Sequence, residues 1–375
     1  MAENTRIYLD YAATTPTDPR VIDAMQPHFN AYNPSSVHAE GRAAHAAIDT
    51  ARDRVAELLN AKRNEIIFTA SGSESNAMAI LGAARASTKR HIVSTTIEHH
   101  AVLHALDALR DEGFEVTLLG VDAGGRVNVE EFAQALRPNT ALASVMYANN
   151  EIGSVQPIQA LAKIARERGV LFHTDAVQAP GYLPLDVCAL GVDLLSLSAH
   201  KFYGPKGVGL LYVRSGVALQ PLVYGGSQEF GKRAGTENVA GIVGLARALE
   251  LALEDWQAAA AKIGVQRDKL EQALVLAIPG AWVYGDDRLP NIISLGIPGV
   301  ESEQVVMALD LAGIAVSSGS ACTSGVVERS HVIEALPGYG KGAVVRISLG
   351  RATSDEDVKI AAKVIPVVLN GEYGG

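Results

Sequence analysis

The sequence has few residues that could cross-link it and none of the long apolar runs that would hold it in a membrane. Only two of its 375 residues are cysteines, Cys188 and Cys322, so a disulfide framework is excluded and a reducing cytoplasm is expected. No apolar run approaches the roughly 18 residues that span a bilayer, and the N-terminus lacks an apolar signal region. We therefore expect neither a membrane segment nor a secretory signal.

Charge is also sparse. Charged residues make up 19% of the chain and the net charge is −9, which argues against a general nucleic-acid-binding protein. Basic pairs such as Arg52 with Arg54 are expected to cover solvated helix faces. A hydrophobic content of 48% over this length predicts a large core and two domains.

Between about residues 66 and 213, short β-branched runs alternate with amphipathic segments. This pattern predicts an α/β fold with a mostly parallel sheet covered by helices on both faces. The predicted strands are 65–69, 91–95, 115–119, 141–146, 170–173, 193–197 and 208–213. Helical patterns occupy the segments 99–111, 129–137 and 158–168.

The pattern changes after residue 236, where one long Ala- and Leu-rich helix is predicted to reach about residue 274. The segments 290–295 and 344–349 then predict strands of a smaller α+β domain. We expect a large domain at 16–255 and a small domain formed by 1–15 and 256–375.

Polar residues that follow strands are the first candidates for function, because ligands bind beyond the carboxyl ends of strands in such sheets. Lys201 follows an apolar strand on a loop with glycines and a proline, and Asp175 ends the preceding strand. A lysine amine can form a Schiff base with pyridoxal phosphate, and a carboxylate can keep its pyridine nitrogen protonated. The alternatives are a surface charge for Lys201 and a helix N-cap for Asp175.

A phosphate site is predicted at residues 70–76, where a strand ends and a helix opens. The N–H groups of Gly72 and Ser73, the Ser73 hydroxyl and the helix dipole could hold a phosphate, although simple capping is the alternative. Other polar residues at this edge could add donors or contact a flat ring: His99, Asn150, Gln178, Ser198 and His200.

Residues 317–325 form a segment of small side chains around a single thiol, Cys322. The glycines at 319 and 325 favour a loop over a packed element, which is compatible with a reactive thiol. The apolar run at 183–190 is instead typical of a buried structural cysteine, so Cys188 is expected to be buried.

Taken together, these motifs resemble those of fold-type I pyridoxal phosphate enzymes of the class V aminotransferase group, and within it cysteine desulfurases of the NifS/IscS type. The similarity covers nearly the whole chain. It is most specific at 149–153 (Asn-Asn-Glu-Ile-Gly), 198–207, 233–238 and the Cys322 segment.

The resemblance implies a role for each candidate residue. Lys201 would form the Schiff base with pyridoxal 5′-phosphate, Asp175 would pair with its pyridine nitrogen, and His99 would stack on its ring and transfer protons. Asn150 and Gln178 would contact the ring. The phosphate would be held by Gly72, Ser73, Ser198 and His200.

Further implications concern the substrate and the assembly. Arg346 would grip the carboxylate of L-cysteine, with Asn33 near the same group. Thr236 would reach the phosphate of the neighbouring subunit's cofactor, which implies a homodimer. No resident metal is expected, although transient contact between Cys322 and an iron–sulfur cluster is compatible with these roles.

The implied activity removes sulfur from L-cysteine, giving L-alanine and a persulfide on Cys322. The sulfur would pass to an iron–sulfur scaffold or another carrier. The alternatives are a transaminase, a lyase or a selenocysteine lyase of the same fold, and a non-catalytic sulfur-pathway partner. Three features depart from the family pattern: Ser227, Phe230 and the end of the chain at Gly375. They leave the identity of the sulfur acceptor open.

Overall fold

A computed structural model describes residues 6–318, 330–338 and 342–373 of the chain. The strands of these residues are β1 (Ile7–Tyr8), β2 (Ile66–Thr69), β3 (His91–Thr95), β4 (Glu115–Leu119), β5 (Thr140–Ser144), β6 (Leu171–Asp175), β7 (Leu194–Ser198), β8 (Gly209–Val213), β9 (Trp282–Tyr284), β10 (Ile292–Ile297), β11 (Ile314–Ala315) and β12 (Ala343–Ser348). Each predicted strand overlaps one of these.

The helices predicted at 99–111, 129–137 and 158–168 each match a helix of the structure to within two residues, whereas one predicted helix is an exception. The helices of the described residues are α1 (Pro19–Met25), α2 (Ala39–Leu59), α3 (Gly72–Ala86), α4 (His100–Asp111), α5 (Val129–Ala135), α6 (Ile158–Glu167), α7 (Val187–Leu190), α8 (Val239–Leu253), α9 (Trp256–Ala277), α10 (Ser302–Leu311), α11 (His331–Glu334) and α12 (Asp355–Tyr373).

The exception is the long helix predicted from residue 236 to about 274, which is wrong. Two helices, α8 and α9, occupy this segment, and Asp255 between them has a left-handed backbone with φ of 47°. A non-glycine residue in that conformation interrupts the α-helical hydrogen-bond pattern, so the chain changes direction there.

A seven-stranded sheet of order β2-β8-β7-β6-β5-β3-β4 forms the centre of the molecule. Its pairs from β7 to β4 are parallel, whereas β8 runs antiparallel to both β7 and β2. The carboxyl ends of β2, β3, β5, β6 and β7 therefore lie at one edge. Apolar clusters on its two faces pack it against helices, as the mostly parallel α/β prediction requires.

A second group of elements has its own apolar core. The antiparallel sheet β12-β10-β9 and the parallel pair β1-β11 contribute to it. Ile7 and Leu9 pack there with apolar residues between Ile263 and Leu369. The N-terminal strand thus packs with residues that lie more than two hundred positions later.

The expectation that Cys188 is buried is wrong. This cysteine lies in the four-residue helix α7, where Val187 and Leu190 are buried, but Cys188 itself is exposed. A short helix buries only one side, so the apolar run does not cover every residue in it. No helix in the described parts of the chain has the length and apolarity that crossing a membrane requires.

Candidate active site

A pocket of about 240 Å³ lies at the edge where the parallel strands end. The predicted site residues that line it are Gly72, Ser73, His99, Asn150, Asp175, Gln178, Ser198, His200 and Lys201. These residues lie at or just after the carboxyl ends of five different strands. The fold therefore brings together side chains that are up to 129 positions apart, from Gly72 to Lys201.

Lys201 lies at the end of a single 3₁₀ turn after β7, and its side chain is half-buried. Its Nζ donates to the carbonyl oxygens of Ala12 and Ala13 at 2.8 and 2.7 Å. Burial lowers the pKa of this amine to about 8, and Arg346 acts in the same direction. The surface-charge alternative is therefore wrong, and about one-tenth of the amine is an unprotonated nucleophile at pH 7.

Asp175 is buried at the last position of β6. Its Oδ1 accepts from the Val177 N–H at 3.0 Å and its Oδ2 accepts from Asn76 Nδ2 at 2.6 Å. Residues 176–186 form turns and loop, so the helix N-cap alternative is wrong. The carboxylate is held from two sides and faces the pocket that Lys201 also lines.

The start of α3 forms the predicted anion cradle. Ser71 is the N-cap and accepts from the Glu74 N–H at 3.1 Å, so capping does not consume Ser73. The N–H groups of Gly72 and Ser73 belong to the first helical turn and have no intrahelical acceptor. A Cβ at Gly72 would lie 2.9 Å from Val177 and 3.1 Å from Ser198, so only glycine lets the helix approach this closely. Such a site suits a phosphate.

Two histidines of the pocket have pKa values below that of an ordinary histidine. His99 caps α4 by accepting from the Ala101 N–H at 3.0 Å through Nδ1, which leaves Nε2 to carry the proton. His99 is exposed on the side that faces the pocket. The protein that surrounds the rest of the ring lowers the pKa of His99 by burial. Burial also lowers the pKa of His200 to about 4, and its Nδ1 lies 3.1 Å from Thr14 Oγ1.

Arg346 lies on β12 beside the pocket and is buried. Its Nη1 donates to the Asn150 carbonyl at 2.9 Å and its Nη2 to Asp10 Oδ1 at 2.8 Å. Its Nε has no partner among the described residues. The backbone of Arg346 pairs with Ser317 through bonds of 2.7 and 3.1 Å, so it lies next to the chain that leads to residue 319.

Two predicted residues lie elsewhere in the single chain. Asn33 and Thr236 are both exposed and line a separate cavity of about 430 Å³. The structure therefore does not place Asn33 or Thr236 in the pocket of their own subunit. Cys322, the predicted sulfur acceptor, lies outside the described residues.

Glu98 directly precedes His99 and is fully buried. Its Oε1 accepts from Thr95 Oγ1 at 2.8 Å and from the Met146 N–H at 3.0 Å. Burial raises the pKa of this carboxyl to about 8, so its neutral form predominates near pH 7. Its backbone carbonyl accepts from His331 Nε2 at 2.9 Å, which ties α11 to the turn that carries His99.

The sequence motifs did not reveal several residues of this site. The carbonyls of Ala12 and Ala13 hold Lys201, and Gln178 Nε2 donates to the same Ala12 carbonyl at 3.0 Å. Asp10 lies against Arg346, and Asn76 lies against Asp175. The position of Asn76 one helical turn after Gly72 was a usable signal, because residues so spaced share a helix face.

Comparison with known proteins places these features in a family. A family model described as aminotransferase class-V matches residues 7–360. A cysteine desulfurase IscS from Dictyoglomus turgidum is 47% identical over 371 residues, covering 97% of this chain and 94% of the relative. A putative cysteine desulfurase IscS 1 from Bacillus subtilis is 46% identical over 373 residues, covering 97% and 98%. Among solved structures, a NifS-like protein matches with a TM-score of 0.91 at 37% identity, covering 98% of this chain and 100% of that chain.

Proposed function

The chain belongs to the class-V aminotransferase family, as a cysteine desulfurase that uses pyridoxal 5′-phosphate, and we propose that the pocket around Lys201 is its active site. The observation that carries this proposal is the Lys201 amine, whose pKa burial lowers to about 8. The amine shares its pocket with the Asp175 carboxylate and the start of α3.

The residues of the pocket fit this cofactor. The close approach of Gly72 to Val177 and Ser198 leaves a cradle of backbone N–H groups for a phosphate, and Ser73 and His200 add donors beside it. When bound, pyridoxal phosphate withdraws electrons from the substrate's α-carbon, which weakens the bonds to that carbon and to its neighbour. We assign Asn150 and Gln178 to contacts with the ring.

The protein's own groups then divide the work. Lys201 would hold the cofactor covalently, and its amine, once released from that bond by the amine of the substrate, would take and return protons. Asp175 pairs with the ring nitrogen. His99 stacks on the ring and moves protons through Nε2, because its Nδ1 is engaged by Ala101. Arg346 binds the carboxylate of L-cysteine, for which a planar guanidinium suits two parallel hydrogen bonds.

Cys322 is the proposed acceptor of the sulfur. Its thiolate attacks the sulfur of the cysteine substrate, so an S–S bond forms while the substrate's Cβ–S bond breaks. The electron pair of the broken bond stays on Cβ, which takes up a proton to give L-alanine. The persulfide then passes its outer sulfur to an acceptor protein, such as an iron–sulfur scaffold or another carrier.

The chain offers a matched control for this step, since its only other cysteine is the exposed Cys188. Cys322→Ser should abolish sulfide and alanine formation from L-cysteine while cofactor absorbance is retained, and Cys188→Ser should leave both unchanged. Mass spectrometry should find one added sulfur on the peptide that contains Cys322. Undiminished sulfide release by the Cys322→Ser variant in the presence of reductant would exclude this role.

We propose further that the enzyme is a cytoplasmic homodimer. The exposed position of Thr236, away from the pocket of its own chain, supports its contribution to the partner's site. We also propose domain limits of 16–255 for the large domain and 1–15 with 256–375 for the small one. The separate apolar core that includes Ile7 and Leu9 supports this division.

A further inference from the structure

Asn76 is a buried amide of α3 that the roles assigned above leave unused. It lies one turn after Gly72 and Ser73 and is 1% exposed. Its Nδ2 donates to Asp175 Oδ2 at 2.6 Å, whereas its Oδ1 has no partner among the described residues. Since an ionised carboxylate only accepts hydrogen bonds, the amide must face Asp175 with its N–H group.

This contact fixes the second oxygen of the Asp175 carboxylate. Its first oxygen already accepts from the Val177 N–H at 3.0 Å. A donor at 2.6 Å from an ionised group is a charge-assisted hydrogen bond, the stronger class of such bonds. Hydrogen bonds to the charged form of an acid favour that form over the protonated one.

The same helix also carries the anion cradle. Gly72 at the start of α3 packs against Val177 and Ser198, which hold it at a fixed distance from the turn after Asp175. Asn76 contacts Asp175 from the same helix. One rigid element therefore touches both places to which a phosphate-bearing ring would be fastened, the phosphate cradle and the carboxylate.

We propose that Asn76 is a positioning residue that holds the Asp175 carboxylate toward the cofactor's ring nitrogen. In this arrangement the proton resides on the ring nitrogen, because the carboxylate is already satisfied by two N–H donors. Without the amide, Asp175 competes more strongly for that proton. The inference rests on the proposed pairing of Asp175 with the ring nitrogen.

The test uses the holoenzyme loaded with pyridoxal 5′-phosphate labelled with ¹⁵N in the ring, whose NMR resonance reports protonation of that nitrogen. In Asn76→Leu, which has similar volume and no donor, the resonance should move toward that of unprotonated pyridine. Loss of a hydrogen bond to a charged group changes the ratio of the two forms, with the proton on the ring nitrogen or on Asp175, by about 10- to 100-fold.

Asn76→Asp gives a second, pH-dependent signature. At pH 6 the introduced carboxyl can share a proton with Asp175 and donate as the amide does, so the resonance should match that of the natural protein. As the pH rises to 9 that proton is lost, so Asp175 loses its second donor and gains a like charge beside it, and the resonance should depart from its position at pH 6. A role in packing alone would not depend on pH in this way.

Gln266 offers a matched control. It is 2% exposed, and its Nε2 donates to Asp355 at 2.8 Å. Gln266→Glu therefore makes the same chemical change beside an aspartate that does not line the pocket. In this variant we expect the ¹⁵N resonance of the ring nitrogen to match that of the natural protein at every pH. A shift as large as that of Asn76→Asp would overturn the proposal.

The remaining outcomes also test the role of Asn76 and the pairing of Asp175. A natural resonance in both Asn76 variants at every pH would overturn the role of Asn76. If Asn76→Leu does not fold, Asn76→Asp alone decides, because it preserves the side-chain volume. An unprotonated ring nitrogen in the natural protein would overturn the pairing of Asp175 itself, and the inference with it.

Discussion

The carboxylate of Asp10 lies 2.8 Å from a guanidinium nitrogen of Arg346, and both charges act on the amine of Lys201. The guanidinium lowers the pKa of Lys201 and the carboxylate raises it, while burial has the largest effect and lowers it. The reactive amine is thus influenced by an ion pair that connects the N-terminal segment to β12.

The rate at which the cofactor-free protein incorporates pyridoxal 5′-phosphate should rise with pH. The midpoint of this pH profile should lie at about 8, the pKa of Lys201. Only the unprotonated amine reacts, and at pH 7 about one-tenth of it is in that form, against about 1 in 3,000 for an ordinary lysine. Stopped-flow absorbance measures this rate. Lys206→Met, at an exposed lysine of the same loop, should keep the midpoint, and a midpoint near 10.5 in the natural protein would contradict the prediction.

Asp10→Asn and Arg346→Gln should move this midpoint in opposite directions. Removal of the carboxylate takes away a charge that raises the pKa of Lys201, so the midpoint falls. Removal of the guanidinium takes away a charge that lowers the pKa, so the midpoint rises. The same stopped-flow profiles measure both shifts. Shifts of the same sign would show that the two groups act on Lys201 mainly through structure and not through charge.

Glu98→Gln should flatten the dependence of stability on pH. The pKa of Glu98 is raised from 4.5 to about 8 in the folded protein, so between these values the folded state holds one more proton than the unfolded state. The free energy of unfolding therefore falls as the pH rises through this window, by about 1.4 kcal/mol per pH unit. Glutamine cannot titrate, so this contribution disappears in the variant.

Urea unfolding of both proteins between pH 5 and 8 measures the difference in slope. Glu334→Gln, at an exposed acid on α11, is the control and should keep the slope of the natural protein. Equal slopes in the natural protein and in Glu98→Gln would show that Glu98 is ionised throughout the window.

Arg52→Met should destabilise the protein by about 3–5 kcal/mol, because it leaves a buried carboxylate without its partner. Arg52 is not solvated as the sequence predicted: it forms two bonds of 2.7 Å with Glu229, and the two side chains are 6% and 2% exposed. Since Glu229→Leu removes the unpaired charge, the double variant should recover part of the loss. Chemical unfolding of the three variants measures this recovery, and a double variant as unstable as the sum of both single changes would refute it.

Mixed dimers should reveal whether Thr236 serves the neighbouring subunit. In the proposed homodimer, Thr236→Ala and Lys201→Ala should each impair both sites. A heterodimer with one change in each subunit would contain one intact site if Thr236 crosses the interface, so activity should return to about half of the natural level per dimer. No recovery on mixing would mean that Thr236 serves its own chain or no cofactor site.

The sequence predicted the sheet well because its strands are short β-branched runs between clear turns, and β3 and β4 match the predicted bounds in full. It failed at Asp255, since one left-handed residue leaves the Ala- and Leu-rich composition around it unchanged. It also failed at Cys188, because a four-residue helix exposes one side of an apolar run. Lys201 and Asp175 were predictable from their positions after strands. Their partners were not, because Asn76 and Ala12 meet them only through tertiary packing.

The short first strand has a consequence beyond its size. β1 pairs in parallel with β11, and five residues after Ile7 the chain supplies the Ala12 carbonyl that Lys201 and Gln178 share. β11 itself leads to Ser317 and then toward Cys322. Residues 6–15 therefore connect the Lys201 amine to β11, the strand that precedes the segment of the proposed sulfur acceptor. A truncation that removed them would take away the Ala12 carbonyl that holds Lys201 and the strand that pairs with β11, while the seven strands of the central sheet would keep their partners.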